Sequence, residues 1–235
     1  MYVSVFSVIQ GQPGLPNLIV KGQTMRTSIR SHLLLGLLVA IVTFGSSEPA
    51  SATEKVSYNY GSASYFQGDD LKGASILASG QAAKNIRLSF DYRYTDVDSG
   101  VSGLDLNSHG AFAGVGYMFR QVDWADFIVD VGGYFASAEA KFNGASAKAK
   151  DGGAFVSLRS RMLPANRFEV EPYVRYYHTL DGGGDSDGFD FGLEGRFYFS
   201  NSVAVQAIVE ESDFYNETVF SLGIRFGQQR DKFNF

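Results

Sequence analysis

Arginine and carboxylate side chains supply the densest chemistry in this chain, and they recur at alternate positions of short segments. Arg87, Asp91 and Arg93 share one parity, as do Asp126 and Asp130, and Arg159 and Arg161. Glu169, Glu171 and Arg175 follow, then Asp190, Glu194 and Arg196, and finally Glu210 and Arg225. A repeat of two is the period of a β-strand, so each set lies on one face. Together they make seven Arg, eight carboxylates and no Lys. The guanidinium fork binds carboxylates bidentately, so Arg without Lys suits confined ion pairing better than a solvated surface. One reading is a polar path for ions or protons. The other is an interior filled by Arg–carboxylate pairs. Near-equal opposite charges favour the second, because buried charges are costly unless paired.

Other candidate chemistry is sparse. His178 is close in sequence to Asp181, and His109 follows Ser108 and Asp105. Either imidazole could act as a general base if a carboxylate oriented it. No catalytic motif surrounds them, and both lie beside expected loops, so no catalytic residue is assigned. The run Asp181-Gly-Gly-Gly-Asp185-Ser-Asp187 offers hard oxygen ligands for Ca²⁺ but lacks the spacing and late Glu of an EF-hand loop. A solvated turn explains it. No cofactor or metal is expected. Asp69, Asp70, Asp96, Asp98 and Asp105 place further acid in expected loops. Cys is absent, which excludes a disulfide scaffold and Cys-ligated metals. A net charge of −5 argues against a general nucleic-acid binder.

The elements that carry these charges read as about ten strands, near 55–66, 74–82, 85–95, 108–119, 126–138, 151–162, 168–178, 188–199, 202–212 and 217–226. The first two alternate weakly, which leaves eight as the alternative count. The face opposite the charges is apolar and aromatic. It carries Leu88, Phe90, Tyr92 and Tyr94, then Val115, Tyr117 and Phe119, then Phe127, Val129 and Val131. Val156 and Leu158, Phe168, Val170 and Val174, Phe189 to Phe199 at alternate positions, and Val203 and Val205 continue it. Such runs match the roughly 9–11 residues of a membrane-spanning strand. Connections alternate between short turns, such as Ala83-Lys84 and Ser200-Asn201, and longer polar loops at 67–72, 95–107, 139–150 and 179–187. The expected architecture is an all-β, antiparallel, up-and-down transmembrane barrel, charged inside and apolar outside. Barrels of about eight strands are just filled by side chains, whereas aqueous porins have about 16–18 strands.

The N-terminal region reads as export machinery. Arg26, Arg30 and His32 follow Met25, Leu33 to Phe44 is a short apolar core, and Ala50-Ser51-Ala52 is an A-x-A cleavage site. Residues 25–52 therefore read as a signal peptide, 53–226 as the barrel, 227–235 as a tail, and 1–24 as an upstream extension from a mis-assigned start. The last strand, TVFSLGIRF, sets Phe220, Leu222, Ile224 and Phe226 on one face and ends in an aromatic residue.

The opening SYNYGSASYF, the strands RLSFDYRY and FDFGLEGRFYF, and the terminal FSLGIRF resemble the small OmpA/OmpX-like outer-membrane β-barrel families, within the porin-type superfamily. The resemblance covers Thr53 to Phe226, and only the last motif matches an assembly signal. It implies a monomer in the outer membrane of a Gram-negative cell, surrounded by lipid and lipopolysaccharide. Delivery would be by periplasmic chaperones and the barrel-assembly machinery. It also implies a non-enzymatic role in envelope integrity or surface interaction through the loops. A narrow passive channel is the alternative, and an outer-membrane hydrolase the third reading.

Overall fold

The computed structural model describes residues 58–122, 125–165, 167–181 and 187–227. The expected leader, the upstream extension and the tail beyond Gly227 lie outside them. Ten strands form one closed antiparallel barrel. In chain order they are β1 (Tyr60–Gln67), β2 (Leu71–Ala83), β3 (Ile86–Val97), β4 (Leu104–Val122) and β5 (Ala125–Phe142). They continue as β6 (Ala145–Ala165), β7 (Phe168–Asp181), β8 (Asp187–Ser200), β9 (Val203–Ser212) and β10 (Glu217–Gly227). Each strand pairs with its neighbours in sequence, and β1 closes on β10 in a register from Tyr60↔Gly227 to Gln67↔Phe220. Closure removes both sheet edges within the wall, so the backbone polar groups there are paired without water. The count of ten stands, and the weakly alternating first two segments form β1 and β2.

The end that carries Tyr60 and Gly227 is called here the terminal end, and the opposite end the loop end. The loop end departs from expectation. The segment 139–150 is not a polar loop but the top of the β5–β6 hairpin, which turns at Asn143-Gly144. Asn143 and Gly144 have φ of 47° and 85°, the left-handed pair that a type I′ hairpin turn requires. Its lysines obscured a period-two pattern: Ala138, Ala140, Phe142, Ala145, Ala147 and Ala149 share one face, and Glu139, Lys141, Lys148 and Lys150 the other. The β3–β4 loop likewise shrinks from 95–107 to 98–103, because Leu104 and Leu106 continue β4. β4, β5 and β6 thus run 19, 18 and 21 residues and project beyond the rim, where β6 from Ala145 to Lys150 has no β7 partner among the described residues.

Smaller revisions follow at the boundaries. β1 starts at Tyr60 rather than near 55, β2 starts at Leu71, and Gly227 belongs to β10. The β1–β2 loop is pinned from β10: the Glu217 carboxylate accepts the Asp69 and Asp70 amide N–H groups at 2.7 and 3.3 Å.

Candidate functional site

The faces of the strands divide the molecule into two environments. Outward positions are apolar and open. Leu88, Phe90, Val115, Tyr117, Phe119 and Val131 are exposed, as are Val156, Leu158, Phe189, Phe197, Phe199 and the alternate residues of β10. Val170 is an exception of packing rather than parity. It shares the outward face but is buried against Ala125 and Met162, with Leu193 beside them.

Inward positions hold the charges. Arg87, Asp91, Asp130, Arg161, Glu169, Glu171, Arg175, Asp190, Glu194, Arg196, Glu210 and Arg225 are buried, and Arg93 and Arg159 half-buried. All fourteen residues of the expected interior set therefore line one lumen. Within it they form two tiers. The tier nearer the terminal end joins Arg87, Arg159, Arg161, Arg196 and Arg225 to Asp130, Glu169, Glu171 and Glu194. Arg87 binds Asp130 through Nε and Nη2 at 3.0 and 2.8 Å. Arg159 bridges Asp130 at 3.3 Å and Glu171 at 3.0 Å. Glu169 accepts from Arg161 at 2.7 Å, from Tyr198 Oη at 2.9 Å and from Arg196. Arg196 also reaches Glu171 at 2.9 Å and Glu194. Gly116 lets this tier lie against the wall, since a Cβ there would collide with Asp130 Oδ1.

The second tier lies towards the loop end. Arg93 joins Asp91 at 3.0 Å and Glu210 at 2.7 Å, and Tyr173 donates to Glu210. Asp190 accepts Ser212 Oγ at 2.7 Å and lies 3.7 Å from Arg175. Arg159 stacks over the Tyr173 ring at 4.9 Å and so connects the tiers. Asp126, the register partner of Arg161, accepts Tyr58 Oη at 2.8 Å at the terminal end of this lumen.

Above the charges lies a feature that parity offered and charge concealed. Phe66, Leu71, Phe112, Tyr134, Phe155, Tyr177 and Val219 also face inward and form one buried apolar cluster. Phe155 has the parity of Arg159, and Tyr177 that of Arg175. Phe214 and Tyr215, from the β9–β10 connection, complete the cluster. The Phe214 ring lies 5.6 Å from Phe112, 6.0 Å from Tyr177, 6.2 Å from Tyr134 and 5.2 Å from Tyr215. Edge-to-face packing of this kind contributes beyond area burial alone. The upper charge meets it directly, with the Arg175 guanidinium 4.7 Å from the Phe112 ring centroid.

A sheet closed on itself, apolar outside and ion-paired inside, inverts the partition of a water-soluble barrel. This is the architecture of a transmembrane β-barrel. The terminal motif fits it: Phe220, Leu222, Ile224 and Phe226 all project outward from the barrel on β10, exposed.

The remaining candidates separate. His178 pairs with Asp187, its register partner across the β7–β8 hairpin, at 2.7 Å, and the side chain of Asp181, the expected partner, lies outside the described residues. That hydrogen bond holds the exposed Asp187 carboxyl below its ordinary range. His109 meets Tyr92 Oη at 2.6 Å and the Tyr94 ring at 5.1 Å, rather than Asp105. Asp185, central to the Ca²⁺ reading, lies outside the described residues. Among the described residues no cluster of three metal-ligating side chains forms.

No family model and no curated protein sequence matches the chain. Among solved structures it is similar to the translocator domain of the autotransporter NalP from Neisseria meningitidis, with 10% identity, TM-score 0.44, and 85% of this chain and 97% of that one covered. It is similar also to Ail, the attachment invasion locus protein of Yersinia pestis, with 12% identity, TM-score 0.38, and 71% and 95% covered. The N-terminal β-barrel domain of Pseudomonas aeruginosa OprF gives 12% identity, TM-score 0.38, and 73% and 98% covered.

Proposed function

We propose that this chain is a small, monomeric, non-enzymatic outer-membrane β-barrel whose interior is closed to steady ion flow. On this reading it serves envelope integrity or surface interaction through the loop end. The observation that carries the reading is the reversed partition: a belt of exposed Leu, Val, Phe and Tyr around a lumen of buried Arg–carboxylate pairs. The ion-pair tiers fill much of the lumen, and the aromatic cluster above them would close what remains. Ions passing through the tiers would first have to break pairs of fixed opposite charges held at 2.7–3.0 Å.

On the same reading residues 25–52 direct export and are removed, and the terminal end faces the periplasm. The loop end then faces outward, with the β5–β6 hairpin as its most prominent feature. Its outer face carries Lys141 and Lys148, both within 3.5 Å of Glu139. Cations at this level suit contact with the phosphates of lipopolysaccharide. Chaperones and the barrel-assembly machinery would recognise β10. Deletion of residues 228–235 should leave assembly intact, and Phe226→Ala in that truncated chain should impair it, read as the yield of heat-modifiable barrel on detergent gels. Loss of assembly on deleting the tail alone would move the signal to Phe235.

The test of the whole reading is purification from the outer membrane, followed by conductance in planar bilayers and lipid-hydrolase assay on the same sample. The expected result is neither steady conductance nor hydrolysis. Large, stable, voltage-independent openings would replace the closed interior with a channel. Hydrolysis abolished by His178→Ala or His109→Ala would replace it with an enzyme.

A further inference from the structure

The lumen is filled unevenly. On β6 to β8 the inward side chains are large and buried: Arg161, Glu169, Glu171, Arg175 and Arg196. On β1 to β3 the inward positions include Ser62, Ser64, Ser75, Ser79 and Ser89. Of these Ser62, Ser75 and Ser89 stay half-exposed although they point into the barrel, as does Leu77 beside them. Small hydroxyl side chains opposite bulky ion pairs leave solvent-accessible space along one wall. Polar space of this kind favours water.

Arg225 borders that wall. Its register partners are Ser62 on β1 and Ala204 on β9, both short. The guanidinium is buried, lies over the Tyr60 ring at 3.2 Å, and approaches Glu169 only to 3.8 Å. None of its three nitrogens makes a hydrogen bond among the described residues. Glu169 is already occupied by Arg161, Arg196 and Tyr198. The nearby carboxylates are already bound to other arginines, so Arg225 brings a positive charge without a hydrogen-bonded partner to the serine wall. Fixed Arg in a narrow path selects for anions, and an apolar constriction gates such a path by excluding water. The Phe214–Tyr215 cap is that constriction. It belongs to a connection between strands rather than to the wall, so truncating its rings leaves the strand pairing of the barrel in place.

We infer that the lumen contains a serine-lined aqueous crevice, made anion-selective by Arg225, which conducts small monovalent anions such as chloride once the Phe214–Tyr215 cap is displaced. This rests on the closed-barrel reading of the wild type and adds what lies beneath the closure. The chain has no Cys, which makes single-cysteine probes clean. Two experiments test it on the full-length mature barrel. In planar bilayers under a KCl gradient, Phe214→Ala/Tyr215→Ala should show steady conductance with a reversal potential towards chloride. Adding Arg225→Gln should shift that potential towards zero. Separately, Ser62→Cys in the otherwise wild-type protein should react with a small anionic methanethiosulfonate several-fold faster than with a cationic one of similar size.

A heat-modifiable cap variant that stays silent would overturn the inference, as would cation selectivity. Unreactive Ser62→Cys in a folded barrel would overturn it without any need for the cap variant to fold. Steady conductance in the wild type would have a different meaning: it would remove the closed-barrel reading itself.

Discussion

Glu169→Ala should lower the stability of the barrel by about 3–5 kcal/mol, measured by urea unfolding after reconstitution in bilayers. Glu169 is fully buried and accepts from Arg161, Arg196 and Tyr198, with Arg225 at 3.8 Å. Truncation removes the carboxylate paired with Arg161 and one of the three paired with Arg196. Those cations keep their positions because the strands fix them, and water does not replace a lost acceptor cheaply at that depth. Glu169→Gln should cost less, since an amide oxygen still accepts one hydrogen bond while the charge is lost. The order Ala worse than Gln separates an ion-pair role from simple volume. A loss below about 1 kcal/mol for Glu169→Ala would put the tier in the range of solvated surface pairs.

Val131→Arg should cost about 2–4 kcal/mol, the range for a cation at the bilayer midplane of a barrel surface. Val131 is 54% exposed, and its register partners Val115 and Val156 are exposed as well. It lies near the middle of the part of β5 that faces the apolar belt, too deep for an Arg side chain to reach either interface easily. Ser146→Arg, on the projecting hairpin, serves as the control and should stay within about 0.5 kcal/mol. Equal, small effects at both positions would mean that the outer belt meets water.

Much of this structure is legible in the chain because a barrel wall is written in a two-residue repeat. Arg159, Arg161, Glu169, Glu171 and Arg175 can be assigned inward by parity alone, and they line the lumen. What parity cannot supply is height. Tyr134, Phe155 and Tyr177 share the inward face with the charges, but nothing local says that they meet at one level, where they close the loop end with Phe214. Phe214 itself sits in a connection and has no repeat to betray it. Charge misled at Lys141, Lys148 and Lys150, which suggested a loop. The stronger signal was Asn143-Gly144, a turn pair that continues the hairpin on both sides. The partner of His178 was missed for a related reason. Asp181 is nearer in sequence, but antiparallel register sets Asp187 opposite.

Single-cysteine nitroxide labelling in bilayers tests the central claim most directly, because it reads which face of the sheet meets lipid. Labels at Val131, Leu222 and Ile224 are compared with labels at Ser157 and Gln206, which face the lumen and are buried. The account predicts that the first three are relaxed strongly by oxygen dissolved in the bilayer and weakly by a water-soluble nickel complex, with the labels at Ser157 and Gln206 shielded from lipid oxygen. Strong nickel relaxation at Val131 and Leu222, with oxygen favouring Ser157 and Gln206, would contradict it and turn the barrel inside out.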